Sequence, residues 1–343
     1  MKCQLVTQGY HIGDCQTHTR EGKSERACEV ALRKDAAGAW HRVITSAHLS
    51  RPEHYFSIYM SGCNLNCRKC HSHDFTKNIN GEWMSTDKIA DLCVDYEKNV
   101  TVFEPVERSL DYYASDLCRC CGSCLMLGRQ SPRCPGRINP DQVLFSPQGF
   151  GPARNIVGYT GGDLACCPDF YIQLTERIKS KTKNIHVLFE TNGYGMTPDN
   201  LSRLRNSGVD SFWLDIKTFD SQVHKKLCGT TNERILELPA EMISLGFQLE
   251  VLSLFIPGWV EEDQLVNIAR LLVSIDPEIP FTLLAFFPEY RLKDARPPTV
   301  TEMISAYHSV KDAGIINIRI GNIGVFARTN QDLEQLERET GII

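Results

Sequence analysis

The stretch Tyr55-Phe56-Ser57-Ile58-Tyr59-Met60-Ser61-Gly62-Cys63-Asn64-Leu65-Asn66-Cys67-Arg68-Lys69-Cys70-His71 joins a strand-forming run to three cysteines spaced C-x3-C-x2-C. Residues 55–60 are β-branched and aromatic in character and read as a short strand ending directly before the cysteine loop. A structural zinc ion takes four protein ligands, and a ferredoxin-type iron–sulfur cluster takes four cysteines. Cys63, Cys67 and Cys70 are only three. They suggest a [4Fe-4S] cluster with one iron left open, able to bind a small molecule and pass it an electron. Three buried thiols, or part of a zinc knuckle, is the plainer reading of the same spacing.

Downstream, residues 86–98 read as a helix, capped by Ser85 or Thr86, with Ile89, Leu92 and Tyr96 at helical spacing. From about residue 155 the pattern alternates regularly. Strands are expected at 156–160, 186–190, 211–216, 248–256, 281–287 and 316–320. Helices are expected near 168–182, 198–206, 233–245, 261–274 and 300–312. Repeated strand–helix units with short connections imply an α/β protein with a parallel sheet, and right-handed crossovers would curl it into a partial or near-complete β/α barrel. In such barrels chemistry gathers at the C-terminal ends of strands, where the cysteine loop falls. The expected organisation is an N-terminal extension over 1–50 and a first barrel part over 51–98. A cysteine-rich insert over 99–150, the rest of the barrel over 151–325 and a helical tail over 326–343 complete it.

Composition limits the function classes. The chain has 343 residues, enough for a sizeable core, and 37 basic against 42 acidic side chains give a net charge of −5 with no block of one sign. Nucleic acid and membrane surfaces are therefore not expected partners. No apolar run is long enough to span a bilayer, and no signal peptide is apparent. Fifteen cysteines without such a signal point to metal binding in a reducing, anaerobic cytoplasm rather than to disulfides.

Three further motifs, Gly161-Gly162-Asp163, Glu190-Thr191-Asn192-Gly193 and Asp215-Ile216-Lys217, fall at the ends of successive expected strands. With the cysteine loop they resemble the radical S-adenosylmethionine (SAM) superfamily. The segments Leu227–Glu237, Ile256-Pro257-Gly258-Trp259 and Phe287-Pro288 narrow the resemblance to the glycyl-radical-enzyme activating enzymes, over about 55–97 and 155–315. The resemblance implies a cluster on Cys63, Cys67 and Cys70 whose open iron is chelated by SAM. One electron would then release a 5'-deoxyadenosyl radical. It also implies that Gly161, Gly162 and Asp163 meet the SAM amino group, that Lys217 contacts SAM, and that Glu190, Thr191 and Asp215 hold a monovalent cation beside its carboxylate. A hard cation suits such oxygens. Three positions depart from the subgroup's pattern: Glu190 replaces an aspartate, Lys69 replaces an aromatic residue before the third cysteine, and an arginine is missing near 252–254. Read without the family, Asp215 and Lys217 share one face of a half-exposed strand by their period of two.

The middle segment holds a second pattern. Cys118, Cys121 and Cys124 are spaced C-x2-C-x2-C, and Cys134-Pro135 follows, approximating a ferredoxin run with a longer last interval. Cys93 and Cys120 are spare candidates. An auxiliary iron–sulfur cluster is the leading expectation and zinc the alternative. Cys166-Cys167 reads as a buried structural pair, His71 and His73 as solvated loop residues, and the tail from Asn330 as a surface helix. The expected activity is hydrogen abstraction from a protein or peptide partner, such as a glycyl-radical enzyme, with a ferredoxin or flavodoxin as electron donor. The alternatives are a maturase that oxidises or cross-links a peptide residue, and a non-catalytic electron carrier or zinc-stabilised scaffold.

Overall fold

Alternation from residue 155 onward is realised as a parallel sheet in the computed structural model, which describes residues 3–19 and 21–342. In chain order the main sheet contains β1 (Leu32–Lys34), β2 (Trp40–Leu49), β3 (Phe56–Met60), β4 (Glu82–Ser85) and β5 (Ile156–Gly161). It continues with β6 (His186–Thr191), β7 (Ser211–Asp215), β8 (Gln248–Phe255), β9 (Phe281–Ala285) and β10 (Ile318–Gly321). The spatial order is β10-β9-β8-β7-β6-β5-β3-β2-β1, with β4 paired to β2. Strands β3 and β5 to β10 are parallel neighbours, whereas β1, β2 and β4 join antiparallel at one edge.

Among the described residues no pairing joins β10 back to the other edge, so the sheet is a partial barrel. It is nonetheless strongly curled. Arg319 of β10 lies within electrostatic reach of Glu53 and Tyr55, which immediately precede β3.

The longer helices are α1 (Thr86–Glu97), α2 (Asp169–Lys181), α3 (Pro198–Ser207), α4 (Ser221–Cys228), α5 (Glu233–Ser244), α6 (Glu262–Val273), α7 (Val300–Asp312) and α8 (Asn330–Thr340). Each long one buries a stripe at helical spacing, for instance Phe170, Leu174 and Ile178 on α2, and Ile235, Leu238 and Met242 on α5. These stripes cover a sheet face on which Tyr159, Phe189 and Phe212 stack with Tyr171 and Phe247 at ring separations of 4.4–5.9 Å. Among the described residues no helix is long and apolar enough to cross a membrane.

Element bounds differ from expectation where side chains leave the sheet. Phe286 and Phe287 turn away after β9, and Ile316 is exposed ahead of β10. The short helix α4 was not foreseen, although Asp220 caps it by accepting from Gln222 N and Val223 N at 2.8 Å each. In the N-terminal segment, β1 and β2 extend the sheet.

The middle segment closes the N-terminal end of the barrel. The Glu104 carbonyl accepts from His186 Nε2 at 3.0 Å, the Ser109 carbonyl from Ser211 Oγ at 2.7 Å, and the Glu250 carboxylate from Tyr112 N at 2.7 Å. Asp111 forms an ion pair with Arg319. Arg154, fully buried, donates to Glu104 at 2.5 Å and to the Arg108 and Leu110 carbonyls at 2.6 and 2.9 Å. The insert thus sits across the barrel from the cysteine loop.

Candidate functional site

Two loops interlock at the C-terminal ends of β3 and β5. Gly162 N donates to the Met60 carbonyl at 2.7 Å, and Asn64 N to the Asp163 carbonyl at 2.8 Å. A methyl group on Gly162 would stand 2.1 Å from the Gly62 carbonyl oxygen, and Gly62 itself has φ +79°. Glycine is thus required by close approach at one position and by left-handed backbone at the other. Gly162→Ala is expected to push the loops apart and lower iron incorporation at least severalfold, read as iron per chain after anaerobic reconstitution.

Behind the loops lies a residue that the sequence did not mark. Arg42 of β2 is fully buried, and its guanidinium donates to the Gly162 carbonyl at 2.6 Å, to Gly62 and Ser61 carbonyls at 3.3 and 3.4 Å, and to the Tyr171 hydroxyl. It fastens both loops to the sheet edge.

Cys63, Cys67 and Cys70 share one loop, and each thiol has its own neighbour. Asn192 Nδ2 lies 3.7 Å from Cys63 Sγ, Cys70 Sγ lies 3.4 Å from the Thr76 hydroxyl, and the Cys228 thiol hydrogen-bonds Cys67. Among the described residues no three His, Cys, Asp or Glu side chains converge at metal-holding distance, here or at the insert. Burial pushes the Cys63 thiol up to about 11, while the hydrogen bond from Cys228, against burial, brings Cys67 down to about 7. Lys77, itself buried and donating to the Leu65 carbonyl, lies close enough to favour the thiolate of all three.

The donor set fits a three-thiolate cluster. Three soft ligands lie on one loop beside a compensating cation, and the orphaned buried atoms Asn64 Nδ2 and Asp215 Oδ1 leave polar capacity for a ligand.

The other candidate residues divide. Asp163 is buried and saturated by protein donors: Ala165 N at 2.7 Å on one oxygen, Thr191 Oγ1 at 2.6 Å and Asn192 N at 3.0 Å on the other. It locks the β5 and β6 loops together rather than presenting a free carboxylate. Thr191 is committed to the same lock. Gly161, with φ +85°, precedes it in the turn.

Glu190 points to the opposite face, into the barrel interior. The Tyr55 hydroxyl donates to it at 3.1 Å and the Thr160 hydroxyl occupies its other oxygen. Burial raises its pKa to about 8. The side chains of Glu190 and Thr191 do not meet, because successive strand residues face opposite ways. Asp215 and Lys217 do meet, as an ion pair at the end of β7. Burial opposes the Lys217 charge, but Asp215 and Cys67 outweigh it and hold its pKa above the ordinary lysine value.

The raised Glu190 value makes stability depend on pH. An acid whose ordinary pKa of 4.5 rises to about 8 on folding keeps a proton that the unfolded chain has lost. Its favourable contribution is complete below the ordinary value and disappears as pH rises through the folded one. Glu190→Gln is expected to gain about 1–3 kcal/mol on wild type at pH 8 relative to pH 5, read from urea melts at both pH values.

Lys69, where an aromatic residue was expected, is also buried. It pairs with Glu289 at 2.5 Å and lies 3.5 Å from the ring centroid of Phe287, so a ring from the loop after β9 stands beside this position. His71 reaches the same Glu289 at 3.1 Å, and His73 stacks on Tyr290 with centroids 4.6 Å apart. The end of α4 backs the cysteine loop, with the Leu227 and Cys228 carbonyls accepting from Arg68 N and Asn66 N at 2.7 and 3.1 Å. Sequence reasoning missed these contacts because they join segments far apart in the chain.

In the insert, Cys118, Cys121, Cys124 and Cys134 all line one small cavity together with Gly122, Ser131 and Val143. A hydrogen bond from Cys120 brings Cys118 down to about 6. Of the spare candidates, Cys120 lies against Cys118, while Cys93 is fully buried in the main core away from this cavity. A larger cavity of about 600 Å³, lined by Phe103, Lys179, His186 and Arg205 among others, lies at the N-terminal end of the sheet, remote from the cysteine loop.

Comparisons with known proteins agree with this geometry. Residues 148–272 match the model of the Radical SAM superfamily. An uncharacterized protein of Methanocaldococcus jannaschii is 30% identical over 117 residues, covering 34% of this chain and 35% of the relative. The pyruvate formate-lyase 1-activating enzyme of Escherichia coli K12 is 25% identical over 162 residues, covering 42% and 66%. The isethionate sulfite-lyase activating enzyme of Oleidesulfovibrio alaskensis is 24% identical over 254 residues, covering 67% and 77%. The chain thus spans about a third of the first of these relatives and 66% of the second. With a cysteine loop and a Gly-Gly-Asp loop interlocked at the C-terminal end of a curled parallel sheet, the chain carries a radical SAM superfamily match over residues 148–272 and resembles activating enzymes of that superfamily.

Proposed function

We propose that this chain cleaves SAM reductively and abstracts hydrogen from a protein or peptide partner, in the manner of the activating enzymes. The observation that carries the proposal is the interlock of the Cys63–Cys70 loop with Gly161–Asp163, backed by Arg42. Bound to Cys63, Cys67 and Cys70, a [4Fe-4S] cluster would supply the electron that splits the sulfonium and the open iron that holds the SAM amino and carboxylate groups.

The chain's own residues have separate tasks. Lys77 offsets the thiolate charge. Gly161 and Gly162 let the backbone approach the ligand, and Asp163 fixes that backbone by tying it to Thr191 and Asn192. Asp215 keeps one buried oxygen without a partner, free to accept from an ammonium or hydroxyl or to meet a monovalent cation, while its other oxygen anchors Lys217. Phe287, Lys69 and Glu289 shape the rim of the mouth.

The insert's four cysteines would hold an auxiliary iron–sulfur cluster, or zinc in its place. Because the insert closes the N-terminal end of the barrel, that site stands at least the length of β3 away, roughly 17 Å for five residues. A low-potential ferredoxin or flavodoxin would supply the electron.

The test is anaerobic incubation of the reconstituted protein, SAM and reductant with a candidate glycyl-radical protein from the same genome. A doublet radical signal on the partner supports the reading. A peptide product oxidised by two electrons, with no radical left on the partner, would replace it with the maturase reading.

A further inference from the structure

Asn192 follows β6 directly, in a turn that fixes its side chain. Its backbone N donates to Asp163 Oδ2 at 3.0 Å, and its Oδ1 accepts from Tyr194 N at 2.9 Å. With Oδ1 taken by a backbone donor, the amide can face only one way. Nδ2 therefore points at the cysteine loop, where it donates to Asn64 Oδ1 at 2.8 Å and lies 3.7 Å from Cys63 Sγ. An amide nitrogen carries two hydrogens, and these two acceptors use both.

Asn64 is the other half of the arrangement. It is buried at 1% exposure, and its Oδ1 lies 3.8 Å from the same Cys63 sulfur. Its Nδ2 is buried without a partner, an unmade donor that the fold keeps at a cost. Asp163 holds both asparagines, since its carbonyl accepts from Asn64 N at 2.8 Å while its carboxylate accepts from Asn192 N. Two amides from segments 128 residues apart thus stand against one cysteine. The sulfurs of the loop are unlike in this respect: an amide faces Cys63, whereas a hydroxyl, that of Thr76, lies 3.4 Å from Cys70.

We propose that Asn192, aimed by Asn64, is a positioning residue that holds an N–H···S hydrogen bond on the Cys63 thiolate and thereby makes the cluster bound there easier to reduce. The inference rests on the proposed cluster at Cys63, Cys67 and Cys70. Reduction brings in one electron from the external donor and neither makes nor breaks a bond. It increases the negative charge shared by the thiolate sulfurs, so a donor held against one of them favours the reduced form. The plainer reading is that Asn192 is a turn residue whose side chain serves Tyr194 N. It accounts for Oδ1, but not for the buried Asn64 kept beside Nδ2 with its own donor unmade.

The test uses the full chain, reconstituted anaerobically and titrated with reductant. The signal followed is the spin resonance that the Cys63/Cys67/Cys70→Ala protein lacks, which separates this cluster from any at the insert. Wild type is compared with Asn192→Asp, Asn192→Ser and Asn64→Leu. Aspartate keeps the size and the oxygen for Tyr194 N but turns the donor into an acceptor. Serine keeps an oxygen for the turn, adds no charge, and is too short to reach Cys63. The expected result is a reduction equilibrium constant at least tenfold lower in Asn192→Asp, a midpoint lower by about 59 mV for one electron. It should fall at least threefold in Asn192→Ser and Asn64→Leu, with iron per chain unchanged in all four proteins. Midpoints equal to wild type in the serine and leucine variants would overturn the proposal and leave Asn192 a turn residue. A shift in the aspartate variant alone would overturn it too, as an effect of added charge. If neither Asn192 variant folds, Asn64→Leu decides by the same threefold threshold. A wild type that takes up no iron on the three cysteines would remove the cluster reading and this proposal together, whereas loaded proteins with equal midpoints would remove the proposal alone.

Discussion

Replacing Cys63, Cys67 and Cys70 together by alanine is expected to remove one cluster's iron, about four atoms per chain, while leaving the fold intact. The three cysteines are only half-buried as residues, and their loop is held by backbone hydrogen bonds from Asn64, Asn66 and Arg68 rather than by the thiols. The substitutions should therefore cost little stability beyond about 1 kcal/mol each. Iron at the insert, if that site takes a cluster, stays. The measurement is iron per chain together with the spin-resonance spectrum of the reduced protein with and without SAM. Wild type should show a SAM-dependent change in the spectrum, and the variant should show none. A variant that kept both its iron and the SAM response would place the cluster elsewhere.

The second large effect is expected at Arg42. Its side chain is fully buried, and its donors serve three loop carbonyls and the Tyr171 hydroxyl. Arg42→Leu removes the charge but strands those acceptors in the interior. Each buried acceptor left without a donor costs about 1–3 kcal/mol, which a urea melt would read as a lower midpoint with an unchanged slope. Because the three carbonyls belong to residues 61, 62 and 162, the loss should fall on the site as well as on stability. Iron loading should drop even under conditions where the variant remains folded. A variant as stable as wild type would mean that the carbonyls find other donors and that Arg42 is not the fastener.

The parallel strands were legible because their residues obey a short-range rule. Val187-Leu188-Phe189 and Val251-Leu252 are apolar runs of strand length between turn signals, and they need no partner to be recognised. The N-terminal strands were not legible for the opposite reason. The stretch Trp40–Leu49 carries Arg42, His41 and His48, and nothing local tells that Arg42 is buried against carbonyls some twenty and 120 residues away.

The candidate site shows the same division. Motif spacing placed the cysteines, the glycines and the Asp215–Lys217 pair at one end of the sheet. The roles of Asp163 and Glu190 depend on which face a carboxylate meets and which donors await it there, and those donors come from other strands. Lys69 is a similar case: its neighbours Glu289 and Phe287 lie some 220 residues away, so nothing local tells that the fold covers it.

The central claim is that this chain splits SAM, and the most direct measurement is the nucleoside that splitting leaves behind. Protein reconstituted anaerobically, reduced with dithionite and supplied with SAM should yield 5'-deoxyadenosine that rises with time. The Cys63/Cys67/Cys70→Ala protein under the same conditions should yield only background. A wild-type protein with full iron occupancy that neither binds SAM nor releases the nucleoside would contradict the account and leave an iron–sulfur carrier on a radical SAM fold.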